Sequence, residues 1–302
     1  MTFRKAAIST LFVCLLLPAA AVGHAIPRAI VVNDQRLYRD ADVDSRTVGR
    51  ILAGEEANII NSAGSLLKLS LPGDRTGWTL ANGVVVLENN PRAAALLYEA
   101  ADTLAREDSA DAWQTAARLF RKAASVSSAG AYAADAMARA AELAWKAEFR
   151  KTGNVTDAGA GRELAAVVQT YPKTPAAARA AFLLLRNNLC ELWEGTPGCP
   201  EVEIGLIERY LAEYSEAETA AELRYAVAYR HSALVEIYLQ QDKPHFSAEK
   251  AVAHKQKARE TVEELMRQHP GGLWAARGER LLWCLENNEG VYSSVALALT
   301  RF

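Results

Sequence analysis

The sequence predicts an α+β multidomain protein with two regions in series, a small β-barrel followed by an all-α helical solenoid. Three observations carry this. Short β-prone segments crowd into residues 30–88, the hydrophobic period turns helical from Pro91 onward, and a four-position pattern recurs along the helical part. The divisions fall at 1–25, 26–88, 89–288 and a C-terminal tail, 289–302.

Residues 1–25 read as a signal peptide. Arg4 and Lys5 precede an apolar run from Ala6 to Ala21, and Gly23 and Ala25 supply the small residues for cleavage before Ile26. A retained membrane helix is the competing reading; the shortness of the run and Pro18 oppose it. Cys14 follows Val13 rather than a small residue, so it makes no lipobox. With 34 basic and 36 acidic residues the net charge is −2, which gives no electrostatic footprint for nucleic acid or anionic lipid. The expected location is periplasmic or secreted, peripheral to a membrane at most.

An oxidising compartment favours pairing among the cysteines that follow the signal. Cys190, late on a helical pattern, and Cys199, after the turn Gly195-Thr196-Pro197-Gly198, are the expected disulfide, with two free thiols as the alternative. Cys284 lies within Leu281-Leu282-Trp283-Cys284-Leu285, where cysteine behaves as a small buried hydrophobe.

The β-prone segments are 29–32, 46–52, 57–61, 66–71, 77–80 and 84–87, separated by Asn, Asp, Gly and Ser clusters. Closely spaced short strands of this kind suggest a small barrel. Leu37-Tyr38-Arg39, Val48-Gly49-Arg50-Ile51-Leu52, Gly54 ahead of Ala57-Asn58-Ile59-Ile60, Leu66-Leu67-Lys68-Leu69 and Pro72-Gly73-Asp74-Arg75-Thr76-Gly77-Trp78 follow one another in order. In that order they resemble the bacterial SH3 domain (SH3b) family over nearly the whole region. Gly77 and Trp78 are its most specific marker, with Gly77 expected to let the backbone turn tightly before the aromatic enters the core. Leu66 stands where the family usually carries an aromatic. Weak or absent binding to cell wall is therefore expected.

From Pro91 the predicted helices are 91–106, 110–125, 131–151, 157–170, 175–194, 201–214, 217–240, 247–268 and 273–288. Ala116, Phe120, Ala123 and Ser128 align with Ala160, Leu164, Val167 and Pro172. The same spacing recurs at Glu203, Ile207, Tyr210 and Ser215, and at Ala258, Val262, Leu265 and Pro270. Internal spacings are four, three and five residues, and the units recur at steps of 44, 43 and 55. A small residue, a bulky apolar one, a second apolar one and a helix stop resemble the second helix of a tetratricopeptide-like repeat. Thr170-Tyr171-Pro172-Lys173-Thr174 and Gln268-His269-Pro270, each before an Ala-rich helix, are similar to joints in periplasmic outer-membrane-assembly and envelope scaffold proteins. On helix 175–194 the stripes Ala178, Phe182, Leu185, Leu189, Leu192 and Ala177, Ala180, Leu184 imply packing on two neighbours.

Nothing in the sequence assembles a catalytic, cofactor or metal constellation. His231 lies on the apolar stripe of Leu223, Val227, Leu234 and Tyr238 and reads as a core residue. His245 and Glu249 have a ligand spacing without a third ligand, His254 reads as part of a solvated face beside Lys255 and Lys257, and His269 as joint packing. The expected function is a non-catalytic protein–protein interaction scaffold in the cell envelope, binding protein partners. The alternative is a peptidoglycan-binding module with a helical spacer, its partner cell-wall material. In stacked helix pairs the first helices line the concave side. Here they begin near Ala131, Pro175, Ala217 and Leu273, and Arg179, Arg224, Tyr225 and Arg277 are the candidate partner-binding residues, being of types rich in contact area and hydrogen bonding.

Overall fold

Apolar side chains at alternate positions need a second layer to cover them, and in the N-terminal region that need is met by an antiparallel sheet. The computed structural model describes residues 26–127, 130–153, 159–190 and 192–292; the expected signal peptide, the stop at Ser128 and residues 293–302 of the expected tail lie outside the described residues. The strands are β1 (Arg28–Val31), β2 (Gln35–Tyr38), β3 (Thr47–Ile51), β4 (Glu56–Ala63), β5 (Leu66–Leu71), β6 (Arg75–Leu80) and β7 (Val84–Val86). Their order is β3-β2-β6-β5-β4-β1-β7, and a 3-10 turn at Ala81–Gly83 joins β6 to β7. Val31, Leu37, Ile51, Ala57, Leu69 and Leu71 form the core of the sheet.

β2 is not among the strands expected from the β-prone segments, although the family resemblance sets a strand start at Leu37-Tyr38-Arg39. Only Leu37 of its four residues is fully buried, so its sequence carries almost no alternation. Gly77 also has a different role from the one its sequence context suggests. It sits within β6, paired with Leu69, and a Cβ there would lie 2.9 Å from Leu37 Cβ and 3.2 Å from the Tyr38 carbonyl oxygen. Its glycine is needed for the close approach of β2, while the turn itself is made by Gly73 (φ 77°) and Asp74 (φ 57°). Trp78 and Leu66 are buried, at 9% and 6% exposure.

The helical region comprises α1 (Ala93–Ala105), α2 (Ala110–Val126), α3 (Gly130–Thr152), α4 (Ala160–Thr170), α5 (Pro175–Asn187), α6 (Gly198–Glu213), α7 (Ala220–Tyr238), α8 (Ala248–Gln268) and α9 (Leu273–Glu286). Each helix packs on the next, while α3 also packs on α5 and α7 on α9. Ile30 and Val85 of the sheet share one core with Leu97, Ala101, Phe120 and Ala123 of α1 and α2. Lys122 pairs with Glu56 at 2.9 Å across the same boundary. The two regions therefore pack directly against each other.

The recurring positions have a common structural meaning. Ala116, Ala160, Glu203 and Ala258 are buried, as are Phe120, Leu164, Ile207 and Val262, and then Ala123, Val167, Tyr210 and Leu265. The helix ends repeat as well: Tyr171, Tyr214 and His269 adopt φ/ψ of −124/50°, −125/48° and −131/57°. Each donates its backbone N–H to the residue four before it and accepts, at its carbonyl, the N–H of the residue three after it. Side-chain and backbone periodicity thus agree at three successive joints.

α5 ends at Asn187, short of the expected 194. Asn188 Nδ2 donates to the Leu184 carbonyl at 2.8 Å, and the chain leaves the helix so that Trp193 can be buried. Cys190 consequently lies beyond the helix, and Leu192, expected on a packing stripe, is 61% exposed. The predicted disulfide between Cys190 and Cys199 forms, with Cα atoms 6.1 Å apart, and Cys284 is a half-buried free cysteine beside the same core. Residues 291–292 of the expected tail are part of this structure: Val291 is buried and the Tyr292 ring stacks on Trp193 with centroids 5.8 Å apart.

Gly77→Ala should lower unfolding stability by about 1–3 kcal/mol, the usual cost of forcing an extra carbon into a packed site. Urea denaturation measures this, and an unchanged midpoint would show that β2 does not press on β6 as described.

Candidate functional site

Polar residues off the packing stripes of the helices meet across helix boundaries. Asp135 of α3 accepts from the Tyr98 hydroxyl of α1 and from Arg179 of α5, linking these three helices. Burial and the neighbouring Asp135 push the Tyr98 pKa up to about 12, keeping the phenol protonated. Arg139 of α3 reaches Asp102 of α1 at 2.6 Å and lies over the Phe120 ring at 5.1 Å. Asp102 has a lowered pKa because of its hydrogen bond to Arg106 and the charge of Arg139.

Farther along, Trp145 Nε1 of α3 donates to Asn187 Oδ1 of α5 at 2.8 Å, and the Arg186 guanidinium sits 5.4 Å from the Trp145 ring centre. Burial raises the Glu222 pKa on α7, while Arg186 and Arg277 pull it back down. A row of charges thus runs through α1, α3, α5, α7 and α9.

The four expected partner-binding residues fall at different places on or behind this row. Arg179 is exposed and paired with Asp135. Arg224 donates to the Ser215 carbonyl at 3.2 Å and lies 3.4 Å from His269 Nε2, bridging two joints. Arg277 lies over the Trp274 ring at 4.6 Å. Tyr225 departs from expectation: it is 8% exposed, with its ring 5.5 Å from Trp274. α7 is apolar around most of its circumference and packs on α6, α8 and α9, which leaves Tyr225 no open face.

Asp135 and Arg179 of this row also line a cavity of about 580 Å³ between α3, α5 and the α6–α7 joint. Thr174 caps α5 by accepting from the Ala177 N–H, and Pro175 opens the helix, so the first turn of α5 is fixed at the cavity wall. Tyr210 and Tyr214 reach it from the end of α6, with Glu213, Glu216 and Glu218 around the joint. No single-sequence pattern singled out this cavity, because the three carboxylates belong to an ordinary polar turn in the chain.

Two buried polar clusters lie away from it. Glu203 accepts from the Cys190 N–H (2.6 Å), Trp193 Nε1 (3.0 Å) and Arg230 Nε (2.8 Å). His231 is buried as expected, with its Nδ1 2.9 Å from His254 Nδ1. His254, expected on a solvated face, is half-buried and stacks on Tyr238 with centroids 5.6 Å apart, because α8 packs along α7. His245 packs edge-on against the same Tyr238 ring. Among the described residues, no three His, Cys, Asp or Glu side chains are placed to hold a metal, and no helix is long and apolar enough to cross a membrane.

No family model matches this chain, and no curated protein matches it. Among solved structures it is similar to one titled "DHF58 filament", at 20% identity over 65% of this chain and 92% of that chain, with a TM-score of 0.25. A TM-score that low carries no argument about fold or function.

Burial, helped by His254 and Lys257, pushes the His231 pKa down to about 4, and the His254 pKa is lowered in the same direction by burial. The unfolded chain then binds more protons than the folded one between roughly pH 6.5 and 4, so stability is complete above this window and falls as the pH drops through it. Denaturant unfolding at pH 7.5 and pH 5 should differ by about 1–2 kcal/mol from this pair. His231→Gln should flatten that difference; a slope unchanged by the substitution would place the titration elsewhere.

Proposed function

We propose that the protein is an exported, non-catalytic scaffold of the cell envelope, in which tetratricopeptide-like helix pairs present a groove to a protein partner and an SH3-like domain braces the first pair. The observation that carries the reading is the threefold recurrence of the same helix end, with the same backbone angles, hydrogen bonds and buried triad. Units repeated in this way build an extended surface rather than a single enclosed reaction centre. The disulfide supports an oxidising location. The antiparallel order of the strands and the buried Trp78 support the SH3-like reading.

Bracing follows from the core shared by Ile30 and Val85 with α1 and α2, and from the Lys122–Glu56 pair. Arg179, Arg224 and Arg277 stand on the groove wall, where their contacts with Asp135, Ser215 and Trp274 hold them in place. Tyr225 serves the wall from behind by packing under Trp274. The cell-wall-binding alternative has less to support it, since both Trp78 and Leu66 are used in packing.

A photo-cross-linking residue placed at Arg179, Arg224 or Arg277 should trap a discrete protein in the native envelope. Placed at Gln256 or Glu260, exposed on α8, it should trap none. Equal trapping from both sets, or adducts to peptidoglycan alone, would overturn the scaffold reading.

A further inference from the structure

The first half of α8 is fastened to α7 by few apolar contacts. Within residues 248–257 only Ala251 is buried, whereas the second half buries Ala258, Val262 and Leu265. Val252, in the first half, is 70% exposed. What holds this half is polar and aromatic. His254 Nδ1 lies 2.9 Å from His231 Nδ1 of α7, and the His254 ring stacks on Tyr238 at an interplanar angle of 4°. The Tyr238 hydroxyl donates to Glu201 Oε1 of α6 at 2.6 Å and accepts from Lys250 Nζ at 3.1 Å.

Two imidazole nitrogens this close share one hydrogen, donated by one ring and accepted by the other. A proton on both rings sets two N–H groups and two positive charges face to face, and the contact cannot survive. The surroundings give no relief. Lys250 and Lys257 of α8 add like charge, and the opposing carboxylate, Glu201 of α6, is held by Tyr238. Tyr238 itself and His245 of the α7–α8 joint are the other titratable neighbours. Glu236 of α7 accepts from the Val291 and Tyr292 N–H groups, and Glu286 of α9 pairs with Arg259, so both are engaged elsewhere. Burial of the two rings acts in the same direction and holds them neutral while the contact is closed.

We propose that the His231–His254 contact is an acid-released clasp, in which protonation of both rings frees residues 248–257 from α7 while the second half of α8 stays in place. Once open, the rings return to water and take up protons near pH 6.5, the ordinary imidazole value. The closed state binds fewer protons, so the clasp is shut above that pH and opens as the pH falls below it. Opening bares Leu234 and Tyr238 of α7, which share a core with Ala251. The clasp works whatever the groove binds.

Hydrogen exchange of the purified protein at pH 7.5 and pH 5, read by mass spectrometry, tests the clasp. After correction for the intrinsic pH dependence of exchange, residues 248–257 should lose protection about tenfold or more at pH 5. The loss should be the same in about 1 M urea, because a local opening exposes little surface. His254→Gln cannot gain the second charge and should shrink the loss to about threefold or less. Lys257→Gln removes like charge from an exposed position and should shrink it about twofold with the helical signal unchanged. No loss at residues 248–257, a loss several-fold larger in urea, or the full loss retained in His254→Gln would each overturn the clasp. If His254→Gln is already unprotected at pH 7.5, Lys257→Gln decides, and a response equal to the parent's overturns it.

Discussion

Glu203 stands in α6 at the position that Ala116, Ala160 and Ala258 occupy in α2, α4 and α8, and it is buried with Arg230 2.8 Å away. The alanines need no polar partner; a buried carboxylate at the same place must be satisfied. Its three hydrogen bonds go to the Cys190 N–H, the Trp193 indole and the Arg230 guanidinium. One side chain thereby ties the disulfide segment between α5 and α6 to the centre of α7. Arg230 in turn donates to the Ala226 carbonyl and lies 5.6 Å from the Trp193 ring centre. Burial lowers the Arg230 pKa and Glu203 opposes that shift, so each charge is tolerated only because of the other.

The later part of the array is keyed to this pair. Trp193 packs with Tyr229, Val262, Leu281 and Val291, joining α7, α8, α9 and the residues after them in one core. Tyr292 closes the arrangement by accepting the Gly195 N–H through its hydroxyl, while Glu236 accepts the Tyr292 N–H at 2.9 Å. The earlier part depends on simpler packing, in which alanine-rich helices approach one another and the sheet covers α1 and α2. The two ends of the helical region thus have different mechanical supports.

Much of this architecture was legible in the sequence because burial and spacing coincide. Phe120, Leu164, Ile207 and Val262 recur at one position because each fills the same gap between helices, and all four are fully buried. Cys190 and Cys199 could be paired from compartment and separation, and His231 from its apolar stripe. What stayed hidden depends on contacts between distant residues. The end of α5 is set by the Asn188 cap together with the burial of Trp193 against Glu203, contacts that no periodicity announces. β2 is defined by its pairing to β3 and β6, since its own four residues carry one buried apolar side chain. Tyr225 and His254 were misplaced because α7 is covered on nearly every side, which only the packing of α8 and α9 reveals. The cavity beside Tyr214 belongs to the same class, being made by α3, α5 and a joint well separated in sequence.

The most direct test of this account is a double-mutant cycle on Glu203→Gln and Arg230→Met, read by urea unfolding. Either single substitution should cost about 3–5 kcal/mol, because it strands a buried charge or breaks the network around it. The double variant should lose much less than the sum, leaving a large coupling energy between the two sites. Single variants within about 0.5 kcal/mol of the parent, or effects that simply add, would show that the helical half does not rest on this pair.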